Sequence, residues 1–341
     1  MNSKDLFNSK STKIFENIQI KLPWVEKYRP KISNEIILDP FIKQKIDKIL
    51  ETKSIPNMII TGEPGTGKTS TIICLAKELY KNDNIRENVL ELNASDDRGL
   101  SIINNTILPF CKKKTKNNII KLVILDEADS ITNKAQNLLS NIIAEYRKNT
   151  RFVFICNDCS QITESIQSRC MIIKYSKISK EDLIIRIKTI CEKENIMYNE
   201  KGIETLLFLS DYDIRQSINN LECIYYSGKE FNETTIYEIL DKPKINYIEQ
   251  ILYNCIHNNL DKALEVVFQL YNKGYTPNDI LLTFMKYLME NQNNNLSEIN
   301  HEYILKIYEI ISLSYIRVNG GIDTLLQLCG CISKIHLYFK S

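Results

Sequence analysis

Gly62-Glu63-Pro64-Gly65-Thr66-Gly67-Lys68-Thr69-Ser70 follows the apolar run Met58-Ile59-Ile60-Thr61 and precedes the helical pattern Thr71–Leu79. The order is strand, glycine-rich turn, helix start, and the spacing G-x-x-x-x-G-K-T is that of a loop that cradles phosphates. Gly62, Gly65 and Gly67 permit backbone turns that a Cβ would forbid, so successive N–H groups can face phosphate oxygens. The helix start adds the positive end of its dipole. Lys68 is placed to reach the β- and γ-phosphates and the Thr69 hydroxyl to ligate Mg²⁺. The stretch as a whole, with Glu63, Pro64, Thr66 and Ser70 between those residues, is predicted to bind a nucleoside triphosphate.

The elements around this loop alternate. Short, β-branched apolar runs at Met58–Thr61, Val89–Asn93, Lys121–Leu125, Phe152–Cys156 and Met171–Lys174 are separated by helical patterns. That order predicts an α/β P-loop domain, a parallel sheet with helices on both faces. From about Ser179 the strands stop, and 3.6-residue periodicity runs through 181–194, 202–210, 213–227 and 233–241. Asp241-Lys242-Pro243 punctuates the pattern before further helices from Ile245 onward. The expected layout is a flexible arm (1–20), the ATPase domain (21–178), a small helical lid (179–243) and an all-α C-terminal domain (244–341). A chain of 341 residues exceeds what one hydrophobic core usually serves.

Composition narrows the class. Apolar content of 43% and charged content of 25% are ordinary for a soluble globular protein, and a net charge of +2 excludes a polycation. Any nucleic-acid contact must therefore come from a local patch. No apolar run is long enough to span a membrane, and the first residues lack the apolar stretch of a signal peptide, so an intracellular chain without a membrane partner is expected. Ten cysteines and three histidines do not cluster, and Cys156-x-x-Cys159 has no second pair at zinc-ribbon spacing. Buried free thiols are the expectation.

Val123-Ile124-Leu125-Asp126-Glu127 is an apolar strand ending in acids. Carboxylates there are costly unless a metal or a reaction uses them, which assigns Asp126 to Mg²⁺ and Glu127 to the attacking water. Asn157, after the strand that ends at Cys156, suits either a turn former or a sensor of the γ-phosphate. Arg215, at the start of a lid helix, suits either a surface ion pair or a contact to the triphosphate. Arg169, just before an apolar strand, reads by itself as structural, and the basic run from Lys112 to Lys116 reads by itself as a solvated loop.

Several further segments accompany these: Pro23–Pro30 (PWVEKYRP), Leu90–Gly99 (LELNASDDRG), Leu125–Ser130 (LDEADS), Thr150-Arg151-Phe152 with Cys156-Asn157, and Ser168-Arg169-Cys170. In this order, they resemble the small subunits of replication factor C over about residues 22–341. The tail motifs Asp213–Leu221, Lys273-Gly274-Tyr275 and Leu326-Gln327-Leu328 are most similar to the eukaryotic branch numbered 4 in yeast and 2 in human. The resemblance implies an AAA+ ATPase using ATP and Mg²⁺, in a hetero-pentamer with other clamp-loader subunits held together by a C-terminal collar. It implies that the complex opens a sliding clamp of the PCNA kind and places it on primer-template DNA, tracking phosphates rather than bases. It implies a nuclear location in a cellular eukaryote, or a cytoplasmic or nuclear replication site of the host if the chain is virus-encoded.

Carried over by position, the resemblance puts Val25 and Arg29 against the nucleotide and makes Asn157 the first sensor and Arg215 the second. It makes Arg169 the arginine given in trans to a neighbour's ATP. Two positions depart from the family pattern. Leu138-Leu139-Ser140-Asn141 stands where Ala-Leu-Arg-Arg is common, which puts DNA sensing through that helix in doubt. Tyr212 replaces a glycine before the second-sensor Asp-x-Arg.

Overall fold

A computed structural model describes residues 22–80, 85–95, 99–113, 119–290 and 301–340. The N-terminal arm, Asp96-Asp97-Arg98 of the LELNASDDRG segment, and Lys114 and Lys116 of the basic run lie outside the described residues. The chain divides into two compact units, 1–226 and 227–341.

In the first unit, five strands, β1 (Met58–Gly62), β2 (Val89–Asn93), β3 (Lys121–Asp126), β4 (Thr150–Cys156) and β5 (Met171–Tyr175), fall within two residues of the runs expected. They form one sheet in the order β2-β3-β4-β1-β5, with every pairing parallel. Because side chains alternate along a strand, the central strands feed two cores. Met58, Ile60, Ile124, Val153 and Ile155 pack on one face under α1 (Pro40–Thr52) and α2 (Lys68–Leu79). Ile59, Val123, Leu125, Phe152 and Phe154 pack on the other under α3 (100–112) and α4 (Asn133–Glu145). The apolar faces of α1 and α4 recur at helical spacing, and Asp39 caps α1 by accepting from the N–H of Phe41.

α3 contains a π-turn at Ile103–Ile107 ahead of Pro109, which has no N–H to continue a regular ladder. Its end is held from below by Lys121, the first residue of β3 and fully buried. The ammonium of Lys121 donates to the carbonyls of Phe110, at 2.5 Å, and of Lys113. Burial pulls the Lys121 pKa below the usual lysine value.

Beyond the sheet come α5 (Lys180–Lys193), α6 (Glu200–Leu209) and α7 (Ile214–Ser227). Ser179, Asn199 and Asp213 supply the side-chain oxygens that cap them. The second unit holds α8 (Glu233–Leu240), α9 (Ile245–Ile256), α10 (Leu260–Asn272), α11 (Pro277–Glu290), α12 (His301–Asn319) and α13 (Leu325–Lys340). α9 to α13 share one core that includes Ile251, Val267, Phe284, Ile311 and Ile332. The cysteines are free thiols. Cys74, Cys111, Cys156, Cys191, Cys255 and Cys331 are buried and Cys223 is exposed. Among the described residues, no cluster of His, Cys, Asp and Glu could hold a metal, and no helix is long and apolar enough to cross a membrane.

Candidate functional site

The C-terminal ends of β1, β3 and β4 converge where open α/β sheets receive ligands. β1 delivers the glycine-rich loop. At Gly62 a Cβ would lie 2.6 Å from the carbonyl oxygen of Tyr175, and at Gly65, with φ +81°, it would meet the Asp213 carboxylate at 2.8 Å. No other residue fits either place without displacing backbone or the cap of α7. Gly67, left-handed at φ 87°, turns the chain into α2.

Lys68 is 7% exposed, and its ammonium donates to Gly62 O at 2.6 Å, Glu63 O at 2.8 Å and Asn157 Oδ1 at 3.0 Å. Desolvation by burial, followed by the nearby Arg215 charge, lowers its pKa. Thr69 Oγ1 donates to Asp126 Oδ2 at 2.8 Å, while Asp126 Oδ1 accepts from the N–H of Glu127 at 2.9 Å. Glu127 is exposed and itself left-handed, at φ 52°. A threonine hydroxyl and a strand-end carboxylate are hard oxygen donors of the kind Mg²⁺ takes, and the glycine cradle suits phosphates. The residues present therefore fit Mg·ATP.

Asn157 is held at three points. Its N–H donates to Asp129 Oδ2 at 3.0 Å, its carbonyl accepts from Thr61 Oγ1 at 3.1 Å, and its side-chain oxygen accepts from Lys68. Asp129 and Thr61 are positioning residues that sequence reasoning passed over. The only signal for Asp129 was its place as the third acid of the run that begins at Asp126, the last residue of β3.

Two cavities adjoin here. One of about 180 Å³ is lined by the loop from Pro64 to Thr69 with Asp126, Glu127, Asn157 and Arg215. The other, of about 240 Å³, is lined by Val25, Arg29, Ile36, Ile178, Arg186 and Ile218 among others. Gly65, Thr66, Gly67 and Arg215 border both. Each alone is below the roughly 300–1,000 Å³ of small-molecule sites, and together they enter that range. The first is polar and suits phosphates, and the second is largely apolar and suits a base.

The second compartment is walled by a short helix, Trp24–Lys27, strapped to α5 and α7. The N–H of Trp24 donates to Glu222 Oε2 at 2.9 Å, and its buried ring lies 5.0 Å from that of Tyr225. Arg186 donates to the Tyr28 carbonyl at 2.6 Å, and Glu194 accepts from both Lys27 and the Tyr28 hydroxyl. Arg29 Nε donates to Ser70 Oγ at 3.3 Å, tying the segment to α2. Arg186, Glu194 and Glu222 were not anticipated, because charges spaced along a helix carry no mark that distinguishes a strap from a solvated face.

Lys68, Thr69, Asp126, Glu127, Asn157, Arg215, Val25 and Arg29 are thus gathered around adjoining cavities. Arg169 is not. It is exposed, donates to Ser165 O at 2.5 Å, and lines neither cavity. Beside it, burial pushes the Cys170 thiol up to about 12. The departures have visible consequences. Ser140 is buried and donates to Ser165 O at 3.3 Å, the carbonyl that Arg169 also uses. Tyr212 is left-handed, at φ 56°, where glycine would be unstrained, and the Lys180 ammonium sits 4.4 Å above its ring.

A parallel sheet whose P-loop follows β1 and whose acid-tipped strand β3 lies one strand beyond β4 defines a P-loop ATPase. Residues 58–177 match the model of the ATPase family associated with various cellular activities (AAA), and residues 243–334 match that of the replication factor C C-terminal domain. The chain is 36% identical to replication factor C subunit 4 of Saccharomyces cerevisiae, over 94% of this chain and 98% of that one. It is also 36% identical to replication factor C subunit 2 of Arabidopsis thaliana, over 92% and 93%. A small subunit of Acanthamoeba polyphaga mimivirus is 35% identical, over 92% and 96%. The chain belongs to the replication factor C small-subunit family. Among solved structures, the RuvB branch-migration motor of Thermotoga maritima shares the fold, with a TM-score of 0.53 at 16% identity over 67% of this chain and 79% of that one.

Proposed function

We propose that this chain binds Mg·ATP and hydrolyses it as a small subunit of a replication factor C clamp loader, a hetero-pentamer that opens a PCNA-like sliding clamp and sets it on primer-template DNA during replication. The observation that carries the ATPase reading is the 2.8 Å bond from Thr69 to Asp126 beside the buried, fully bonded Lys68. Thr69 and Asp126 would hold the metal, which when bound neutralises charge between the β- and γ-phosphates. Lys68 binds the same phosphates, Glu127 orients and polarises the attacking water, and Asn157 and Arg215 hold the γ-phosphate end. Val25 and Arg29 border the base and ribose.

Arg169 is the residue this chain lends to its neighbour, a reading supported by its exposure and its absence from the lining of both cavities. Assembly through residues 244–341 is supported by exposed apolar side chains on α12 and α13, among them Leu313, Ile316, Leu326 and Leu337. The ATPase domain would span 21–178, the lid 179–243 and the collar 244–341, working in the nucleus of a cellular eukaryote or, if virus-encoded, at a cytoplasmic or nuclear replication site of the host.

The test is ATP turnover by the chain alone, with the other small subunits, and then with clamp and primed DNA. Slow turnover that rises on assembly, and rises again with clamp and DNA, is the expected result. A rate indifferent to all three would refute the motor reading and leave a nucleotide-binding scaffold.

A further inference from the structure

At the opposite end of the sheet from the nucleotide, where β1, β4 and β5 begin, a cleft of about 850 Å³ is lined by Lys45, Lys48, Thr52, Asn57, Arg147 and Arg151 with apolar neighbours. No carboxylate lines it. Lys45, Lys48 and Thr52 recur at the spacing of one face of α1, while Asp47 and Glu51 of the same helix do not border the cleft.

Some of this charge has a structural task. Arg151 braces the strand starts, donating to Ile55 O and Thr150 O, both at 3.1 Å, and to Arg147 O. The Lys45 ammonium lies 4.4 Å from the centre of the Phe41 ring. The head groups of Lys48 and Arg147, by contrast, are exposed and carry no ion pair or hydrogen bond among the described residues. Two guanidiniums and two ammoniums on a protein of net charge +2 are a local concentration of positive field.

We infer that this cleft is a second, sequence-independent contact for a nucleic-acid phosphodiester backbone, separate from the nucleotide site. Lysine and arginine with neighbouring Thr, Ser and Asn side chains are the groups that meet phosphate oxygens and read no bases. An acidic peptide added as a strand is disfavoured. The main-chain donors facing the cleft at Phe152 and Met171 are already taken by Asn57, at 3.0 and 2.8 Å. The inference deepens the DNA part of the proposed function and does not depend on ATP hydrolysis.

The experiment uses the full chain with a fluorescein-labelled mixed-sequence oligonucleotide, single-stranded and duplex, and reads anisotropy across a salt series. Lys48→Glu with Arg147→Glu, both at exposed positions, is compared with the unchanged protein. Arg151 is left alone because it braces the fold. The expected result is binding about tenfold weaker in the double variant, with a salt slope shallower by about 1 to 2. Retained nucleotide binding by the variant certifies its fold. Equal affinity and slope in the two proteins would overturn the inference while leaving DNA contact elsewhere intact. Absence of binding by the unchanged protein would overturn it, while leaving DNA contact by the assembled complex untouched. Polyglutamate that binds through Lys48 and Arg147, with DNA binding unaffected by the variant, would assign the cleft to acidic protein and overturn it likewise.

Discussion

Lys68 has its three donors bonded to protein oxygens, so phosphate binding exchanges those bonds rather than filling an empty ammonium. Lys68→Ala removes charge-assisted bonds of roughly 1.5–3 kcal/mol in their protein context, so nucleotide affinity should fall by about ten- to a hundredfold in a fluorescent-nucleotide titration. Glu127→Gln should leave that titration unchanged and lower turnover by about a hundredfold or more; equal turnover would remove Glu127 from the reaction. Tyr212 is a different case. Its left-handed backbone costs about 1 kcal/mol and its contact with Lys180 returns part of that. Tyr212→Gly should therefore raise the urea midpoint slightly, by the equivalent of about 0.5 kcal/mol. A lower midpoint would mean that the ring contact outweighs the strain.

At the scale of elements, the cap of α7 and the phosphate loop are one piece of structure. Asp213 Oδ1 accepts from the N–H groups of Arg215 and Gln216 at 2.7 and 3.2 Å, and the same carboxylate presses against Gly65. Asp213→Ala should cost about 1 kcal/mol of stability through the lost cap and also weaken ATP binding by freeing Arg215 and the loop. A stability loss with unchanged ATP affinity would separate the two roles. The strands, the loop and the acids were legible because each is written in consecutive residues: β-branched runs, glycine spacing, carboxylates after Leu125. The straps were not legible. Glu194 reaches Lys27 across 167 residues, and no local pattern encodes a partner so distant. Asp129 stood in a readable motif, but its bond to the N–H of Asn157 depends on β3 and β4 being neighbours, a property of the sheet rather than of either strand.

For the whole molecule, the position of Arg169 sets the expectation. Lys68, Thr69, Asp126, Glu127, Asn157, Arg215, Val25 and Arg29 border this chain's own cavities, while Arg169 lies on an exposed turn. In a reconstituted assembly, Arg169→Ala should leave nucleotide binding by this chain unchanged and slow hydrolysis at the adjacent subunit by about 10³-fold or more. Undiminished turnover at that neighbour would end the assignment. The buried Ser140, which shares the Ser165 carbonyl with Arg169, ties the same turn to α4.

The cavity bordered by Val25 and Arg29 has walls from both ends of the first unit: Trp24 is bonded to Glu222, 198 residues later. During synthesis the phosphate loop and both acids leave the ribosome long before that wall can close. A nascent chain that ends before Glu222 therefore carries the glycine-rich loop and both acids without the residues that anchor Trp24.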